Sequence, residues 1–106
     1  MSGTDLAEKA QVAVDKIEAE RKRIGFWQNT PPTPAQMNFK KAFAMDTMAY
    51  SQWLQFVFLV RVREAIASKQ FPSSSSVGAQ AVREFDGDAE ANELVTLLSE
   101  FDALFD

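Results

Sequence analysis

One segment near the middle of the chain limits the fold more than any other. Between about Tyr50 and Ser68 the residues favour a helix that is apolar on nearly every side. Its polar positions form only a narrow strip, which includes Gln52, Gln55 and Arg63. A helix of this kind has to be covered by several others, and a chain of 106 residues has room for one such core. The chain is therefore predicted to be a single domain, residues 1–106, with this helix at its centre.

Three further segments carry helical patterns. Residues 4–24 repeat apolar or small residues at spacings of three, four and seven, with Thr4 as the expected N-cap and Gly25 as the expected stop. Residues 77–85 favour a short helix, and residues 89–105 combine an apolar stripe with an acidic face. The predicted fold class is all-α, a bundle of about four helices.

Two segments interrupt the helical patterns. Residues 26–45 contain three of the four prolines, which favour extended backbone, yet the segment is too apolar to lie free in water. It is therefore predicted to pack across the bundle. Its expected anchors are Phe26, Trp27, Met37, Phe39 and Phe43. Residues 70–76 form a Ser-rich loop, which we interpret as a linker because no histidine is available to activate a serine.

The composition removes most familiar kinds of active site. The chain has no Cys and no His, and therefore no thiolate nucleophile, no imidazole base and none of the usual zinc ligands. Asp86-Gly87-Asp88 lacks the further ligands of a calcium loop and is predicted to be a turn followed by a helix cap. No other catalytic constellation is visible, so we expect no enzyme activity, no cofactor and no metal.

The charge is unevenly distributed. The net charge is −4, with ten basic and seven acidic residues in 1–70 and one basic and eight acidic residues in 71–106. The acidic end is predicted to be mainly a solvated helix face, with a basic partner as the functional alternative. The longest apolar stretch is too short to span a bilayer, and the lack of Cys suits a reducing compartment. We therefore expect a cytoplasmic protein without a membrane partner.

Arg61 is the most unusual charged residue in the sequence. It lies between Val60 and Val62 on the apolar helix, so its guanidinium has to reach solvent or meet a carboxylate. The structural interpretation is a solvated or paired arginine, with Asp46 as the expected partner. The functional interpretation is that Arg61 recognises an anion or a partner protein.

Particular residues resemble those of the YqcC-like family of small bacterial proteins, a domain of unknown function. The resemblance runs from Trp27 to Phe105, and its most distinctive part is Asp46-Thr47-Met48 followed by Trp53-Leu54-Gln55. It implies a small all-helical bundle. Some members of that family carry a pseudouridine-synthase label. Pseudouridine synthases have a larger mixed α/β domain around an essential aspartate, so the resemblance suggests a role beside such an enzyme rather than its activity.

The functional hypothesis that follows is a non-catalytic protein-interaction module that acts as a monomer or homodimer. Its expected binding surface consists of Trp27, Phe43, Asp46, Thr47, Met48, Trp53 and Arg61. The alternative interpretation is that these residues are only core and caps. Two other functions stay open. An RNA-associated accessory factor predicts one basic patch that joins Arg21, Lys22, Arg23, Lys40 and Lys41. A small-ligand-binding bundle predicts a pocket lined by Trp53, with Arg61 or Asp46 at its wall.

Overall fold

The computed structural model describes residues 2–105, and the side chains of residues 6–105. Its α-helices are α1 (Ser2–Arg23), α2 (Pro34–Met37), α3 (Tyr50–Trp53), α4 (Leu59–Ser68), α5 (Val77–Glu84) and α6 (Asn92–Ala103). A π-helical turn, Leu54–Phe58, joins α3 to α4, so residues 50–68 form one unbroken element, the central helix. No strand occurs between residues 2 and 105. The predicted all-α class is confirmed, while the cap expected at Thr4 lies outside the described side chains.

The core lies where α1, the central helix and α6 meet. Helix α1 packs against both α4 and α6, and α5 packs against α6. The side chains that are completely buried there include Ile17, Leu54, Leu94 and Leu98. The predicted apolar helix supplies Leu54 to this core, but it is not covered on every side, because Val60 and Arg61 are exposed.

Two predicted turns have the expected backbone. Gly25 follows the end of α1 with φ +80°, a left-handed conformation that costs glycine little. Gly87 has φ +81°, and a carboxylate oxygen of Asp88 then accepts the N–H of Glu90 at the start of a 3₁₀ turn. The sequence Asp86-Gly87-Asp88 is thus a turn and a cap.

The segment 26–45 packs across the bundle but is not extended throughout. It contains α2, which Thr33 and Gln36 begin with a capping box, and a 3₁₀ turn at Ala42–Ala44. Of the five expected anchors, Phe26, Trp27, Phe39 and Phe43 pack against the core. The prediction for Met37 is wrong, because its side chain is exposed.

Gln55 is the polar residue that holds this segment in place. Its amide oxygen accepts the N–H of Gln28 at 2.9 Å, and its Nε2 donates to the carbonyl of Gln28 at 2.7 Å. The side chain is only 7% exposed. The expectation that Gln55 belongs to a solvated strip is wrong, since the neighbouring chain covers it and satisfies its amide.

None of the helices between residues 2 and 105 combines the length and hydropathy that a bilayer crossing requires.

Candidate functional site

The seven residues of the predicted binding surface do not form one surface. Met48 is buried in the core. Thr47 donates its hydroxyl to the carbonyl of Gln36 at 2.6 Å and so ties α2 to the following turn. Trp27 lies on a different part of the molecule from Trp53. Only Phe43, Trp53 and Arg61 come together.

Asp46 binds the backbone of the preceding loop instead of pairing with Arg61 as predicted. Its two carboxylate oxygens accept the backbone N–H groups of Lys40 and Lys41 at 3.1 and 3.3 Å. The N-cap of α3 is Ala49 rather than Asp46. Among the described residues Asp46 forms no ion pair with Arg61. Asp46 folds back on the preceding loop because unpaired N–H groups there need an acceptor.

Phe43, Trp53 and Arg61 line a groove of about 430 Å³ between the central helix, the Ser-rich loop and α6. Most of its remaining wall is apolar. We call it the aromatic groove, and its lining residues are Phe43, Trp53, Phe58, Arg61, Val62, Ala65, Phe71, Pro72, Ser74, Ser75, Ser76, Val77, Phe101 and Phe105. Six of these residues carry an aromatic ring.

The rings of the aromatic groove pack against one another in a chain. Phe43 meets Trp53 edge to face with ring centroids 5.0 Å apart. Phe58 meets Phe101 in the same way at 5.0 Å, and Phe101 lies 5.1 Å from Phe105. Contacts of this geometry add to the stabilisation that burial alone gives. The walls are therefore held in place by the core itself.

Arg61 is the one charged residue in the lining of the aromatic groove. Its guanidinium carbon lies 5.8 Å from the centre of the Phe39 ring, a cation–π contact that places the side chain. Arg61 is exposed and has no acidic partner among the residues that the structure describes. The solvated alternative of the structural interpretation therefore fits Arg61, the predicted pairing with Asp46 is wrong, and the positive charge is available to a ligand.

The backbone is strained beside the aromatic groove. Phe43 and Ala44 both have left-handed φ values, +56° and +53°. Such values are unfavourable for residues with a β-carbon and persist only where the surroundings impose them. Here the strain coincides with the position at which the Phe43 ring meets Tyr50 and Trp53.

Asp102 closes the α5 side of the aromatic groove. Its carboxylate accepts the hydroxyl of Ser75 at 2.6 Å and the N–H groups of Val77, Gly78 and Ala79 at 2.8 to 3.3 Å. This satisfies the free donors at the N-terminus of α5. The expectation that Asp102 belongs to a solvated acidic face missed this role. The local sequence carries no signal for it, because Ser76 precedes α5 and is itself a favourable N-cap residue, yet its side chain makes no cap hydrogen bond.

Tyr50 also contacts the N-terminus of α5. Its hydroxyl donates to the carbonyl of Val77 at 2.6 Å, and its ring stacks on Trp53. Burial raises the pKa of Tyr50 above its ordinary value of 10, and the negative charges of Asp102 and Glu84 raise it further.

Trp27 lies in a second, shallower hollow of about 230 Å³ on another side of the central helix. Phe56 and Val60 share that hollow, and Val60 is 49% exposed. The ammonium of Lys22 lies 4.8 Å from the centre of the Trp27 ring. We call Trp27, Phe56 and Val60 the Trp27 face.

The basic patch expected of an RNA-binding protein is not assembled. Arg21 is completely buried. Lys22 pairs with Glu18 at 2.9 Å and Arg23 pairs with Glu20 at 2.5 Å. Only the lysines at positions 40 and 41 remain as predicted, exposed and without an ion pair among the described residues.

Arg21 is a buried cation without a carboxylate partner among residues 6–105. Its Nη2 donates to the carbonyl of Phe26 at 2.9 Å and lies 3.4 Å from the amide oxygen of Gln55. Its Nε and Nη1 have no hydrogen-bond partner within the described part of the chain. Desolvation lowers the pKa of Arg21 to about 10. Arg21 therefore ties the loop after α1 to the central helix at an electrostatic cost.

The fold and these two hollows define a small all-α protein with an aromatic groove and a separate, partly exposed Trp27 face. A family model described as DUF446, tRNA pseudouridine synthase C, matches residues 9–104, and the chain belongs to this family. No solved structure matches the chain.

The relatives agree with the resemblance noted in the sequence. The uncharacterized protein YqcC of Escherichia coli (strain K12) is 29% identical over 100 residues, which are 92% of each chain. An uncharacterized protein of Haemophilus influenzae is 27% identical over 95 residues, 86% of this chain and 84% of that protein. A tRNA pseudouridine synthase C of Pectobacterium carotovorum subsp. carotovorum is 38% identical over 53 residues, 50% of this chain and 14% of that protein. The predicted YqcC-like family is confirmed.

Proposed function

We propose that this chain is a non-catalytic accessory module whose partner is a tRNA pseudouridine synthase. The observation that carries the proposal is that half of this chain resembles a 14% part of a much longer protein named tRNA pseudouridine synthase C. A short chain that resembles a small part of a long enzyme is well suited to act beside such an enzyme. The description of the family points to the same enzyme.

The hydrogen bonds of the conspicuous polar residues support a non-catalytic role. Asp46 and Asp102 direct both carboxylate oxygens to backbone N–H groups, and Tyr50 donates its hydroxyl to a backbone carbonyl. A general acid or base has to exchange a proton with a substrate. These three residues instead hold loops and helix ends in place.

The Trp27 face is the proposed contact surface. Tryptophan, phenylalanine and arginine are enriched at the centres of protein interfaces. Trp27 and Phe56 are partly exposed there, and Val60 is half exposed. Beside them Arg63 bridges Glu18 at 2.6 Å and Asp15 at 3.6 Å, which gives the apolar face a polar rim.

Direct binding of RNA has less support. Of the residues expected to bind phosphates, Arg21 is buried in the core. Lys22 and Arg23 each form an ion pair with a glutamate on α1. A protein with a net charge of −4 also repels a phosphate backbone. We therefore favour a protein surface of the synthase as the partner.

Capture on immobilised synthase tests the proposal. The tRNA pseudouridine synthase C encoded in the same genome is immobilised without tRNA and exposed to the wild-type chain, to Val60→Asp and to the matched control Val82→Asp. Val82 is 55% exposed, lies on α5 and does not line the hollow that holds Trp27. We expect Val60→Asp to weaken capture by about tenfold or more and Val82→Asp to leave it unchanged. Circular dichroism establishes that both variants are folded.

Two results contradict the proposal. One is the absence of capture of the folded wild-type chain. The other is capture that requires added tRNA and falls steeply with salt, which identifies an RNA-binding protein instead. Equal loss in both valine variants rejects the Trp27 face as the contact surface.

A further inference from the structure

We propose that the aromatic groove is a binding site for a small organic carboxylate with an aromatic or alkyl body. The site is separate from the Trp27 face, and the inference does not depend on the proposed partner. Three features of the groove support it: apolar walls, the available charge of Arg61 and walls that the core holds in place.

The walls suit an apolar ligand body. The aromatic groove has a volume of about 430 Å³, which falls in the range of about 300 to 1,000 Å³ that small-molecule pockets occupy. The rings of Trp53, Phe58 and Phe101 form its inner wall and belong to the buried core. Phe43 and Phe71 are only partly buried and lie nearer the solvent. A flat or flexible hydrocarbon body can therefore contact rings on several sides.

The charge suits an anionic head. Arg61 is the one charged group of the lining, and it has no acidic partner among the described residues. A guanidinium offers two parallel N–H donors that match the two oxygens of a carboxylate. The rest of the molecule is acidic, with a net charge of −4, so an anion is attracted at Arg61 and repelled over much of the remaining surface.

The backbone donors beside the aromatic groove are already used, so that among the described residues its remaining side-chain donors besides Arg61 are neutral, namely Ser74, Ser76 and Trp53. The three N–H groups that begin α5 all donate to Asp102, as does the hydroxyl of Ser75. An anion entering the groove therefore meets Arg61 as its principal partner. Removal of the Arg61 guanidinium should therefore abolish the preference of the groove for a carboxylate over a neutral ligand.

The frame is organised before any ligand arrives. The wall at residues 75–77 is fixed to α6 by Asp102, and the Phe43 ring is held against Trp53 despite the left-handed backbone at that residue. A site that is already ordered loses little conformational entropy on binding.

The two tryptophans provide a direct readout. Trp53 lines the aromatic groove and Trp27 does not, and the chain has no other tryptophan. In a Trp27→Phe background the fluorescence therefore reports on Trp53 alone. The probes are 4-phenylbutyrate and its neutral amide, which share one body and differ in charge.

The critical comparison is between Arg61→Gln and Arg83→Gln, both in this background. Both arginines are exposed, and Arg83 lies on α5 outside the groove. We expect 4-phenylbutyrate to change the Trp53 emission saturably, Arg61→Gln to weaken its binding by about five- to tenfold and Arg83→Gln to have no effect. The neutral amide is expected to bind more weakly than the carboxylate and equally to both variants.

Three results overturn the proposal. The first is that neither probe changes the Trp53 emission of the folded protein. The second is that carboxylate and amide bind the unsubstituted background equally, which removes the role of Arg61. The third is a dependence of the Trp53 emission on protein concentration without any probe, which shows that a second copy of the chain fills the groove.

Discussion

Gly78 on α5 lies so close to Ser99 on α6 that a β-carbon at Gly78 would be 2.5 Å from the Cα atom of Ser99. The atoms in the way belong to the backbone of α6, which cannot move aside as a side chain can. The close approach also brings the N-terminus of α5 within reach of the Asp102 carboxylate. The two helices are thus fitted together by a missing side chain on one and a capping carboxylate on the other.

The first prediction concerns this contact. In an isolated helix Gly→Ala is favourable by about 1 kcal/mol. Here we expect Gly78→Ala to lower the free energy of unfolding by about 2 kcal/mol, because the added methyl group forces α5 away from α6. Urea denaturation of the variant and the wild type measures the difference. A stability equal to or above that of the wild type would show that the helices are not in such close contact.

Second, we expect Asp102→Asn to destabilise the protein. The substitution keeps the shape of the side chain but removes the charge and one acceptor oxygen from a group that accepts four hydrogen bonds. We expect a loss of about 1 to 2 kcal/mol in urea denaturation. Asp86→Asn is the control, since Asp86 is exposed and lies in a turn. An equal effect of both substitutions contradicts the capping role of Asp102.

The third prediction concerns alkaline pH and Tyr50, the only tyrosine of the chain. Its pKa is raised in the folded protein above the unfolded value of 10, so its contribution to stability is complete below pH 10 and falls as the pH rises further. While the folded form stays protonated, this loss is about 1.4 kcal/mol per pH unit.

The ultraviolet absorbance of tyrosinate and the far-ultraviolet circular dichroism test this coupling in one titration. We expect the absorbance to rise only together with the loss of helix. In Tyr50→Phe the corresponding part of the alkaline instability disappears. Ionisation of Tyr50 near pH 10 in a protein that stays folded is the contrary result.

Fourth, we expect Arg21→Met to stabilise the protein at neutral pH. Methionine replaces the buried cation with an apolar side chain that can fill much of the same space, at the cost of the hydrogen bonds to the Phe26 carbonyl and to Gln55. We expect the free energy of unfolding at neutral pH to rise by about 1 kcal/mol, because an unpaired buried charge is removed. Arg83→Met, at an exposed position, is expected to change stability by less than about 0.5 kcal/mol. A clear loss of stability in Arg21→Met means that the guanidinium contributes more than its desolvation costs.

The lowered pKa of Arg21 determines how the difference in stability between the wild type and Arg21→Met changes with pH. It is lowered to about 10 in the folded protein from 12.5 when exposed, so the unfolded chain binds more protons between these values. The wild type therefore gains stability relative to Arg21→Met as the pH rises above 10. At lower pH the penalty is fully present.

Local patterns predicted the helices because the apolar periodicity, the stop at Gly25 and the turn at Gly87 each depend on nearby residues. The burial of most of helix 50–68 was also predictable from its apolar residues, although Val60 and Arg61 are exposed. The interactions that escaped prediction join residues far apart in sequence. Asp102 caps a helix that begins 25 positions earlier, and Gln55 bonds to a residue 27 positions away.

Charge was the least reliable guide to position. Arg21 stands in a basic run at the end of α1, where a helix dipole favours cations, and yet it is the most deeply buried charged residue among those described. Arg61 stands in an apolar run and is exposed. The difference arises because residues 26–28 fold back over Arg21, whereas Phe39 leaves Arg61 open to solvent. Of the candidate sites, the pocket expected of a ligand-binding bundle, with Trp53 in its lining and Arg61 at its wall, is present, whereas Asp46 does not line it.

Isothermal titration calorimetry between the wild-type chain and the tRNA pseudouridine synthase C of the same genome, both free of RNA, tests the proposed function most directly. We expect saturable binding of one chain per synthase, a negative heat-capacity change from burial of the apolar Trp27 face, and weak dependence on salt. No heat of binding to the synthase, with binding to tRNA that declines steeply as salt is added, would contradict it.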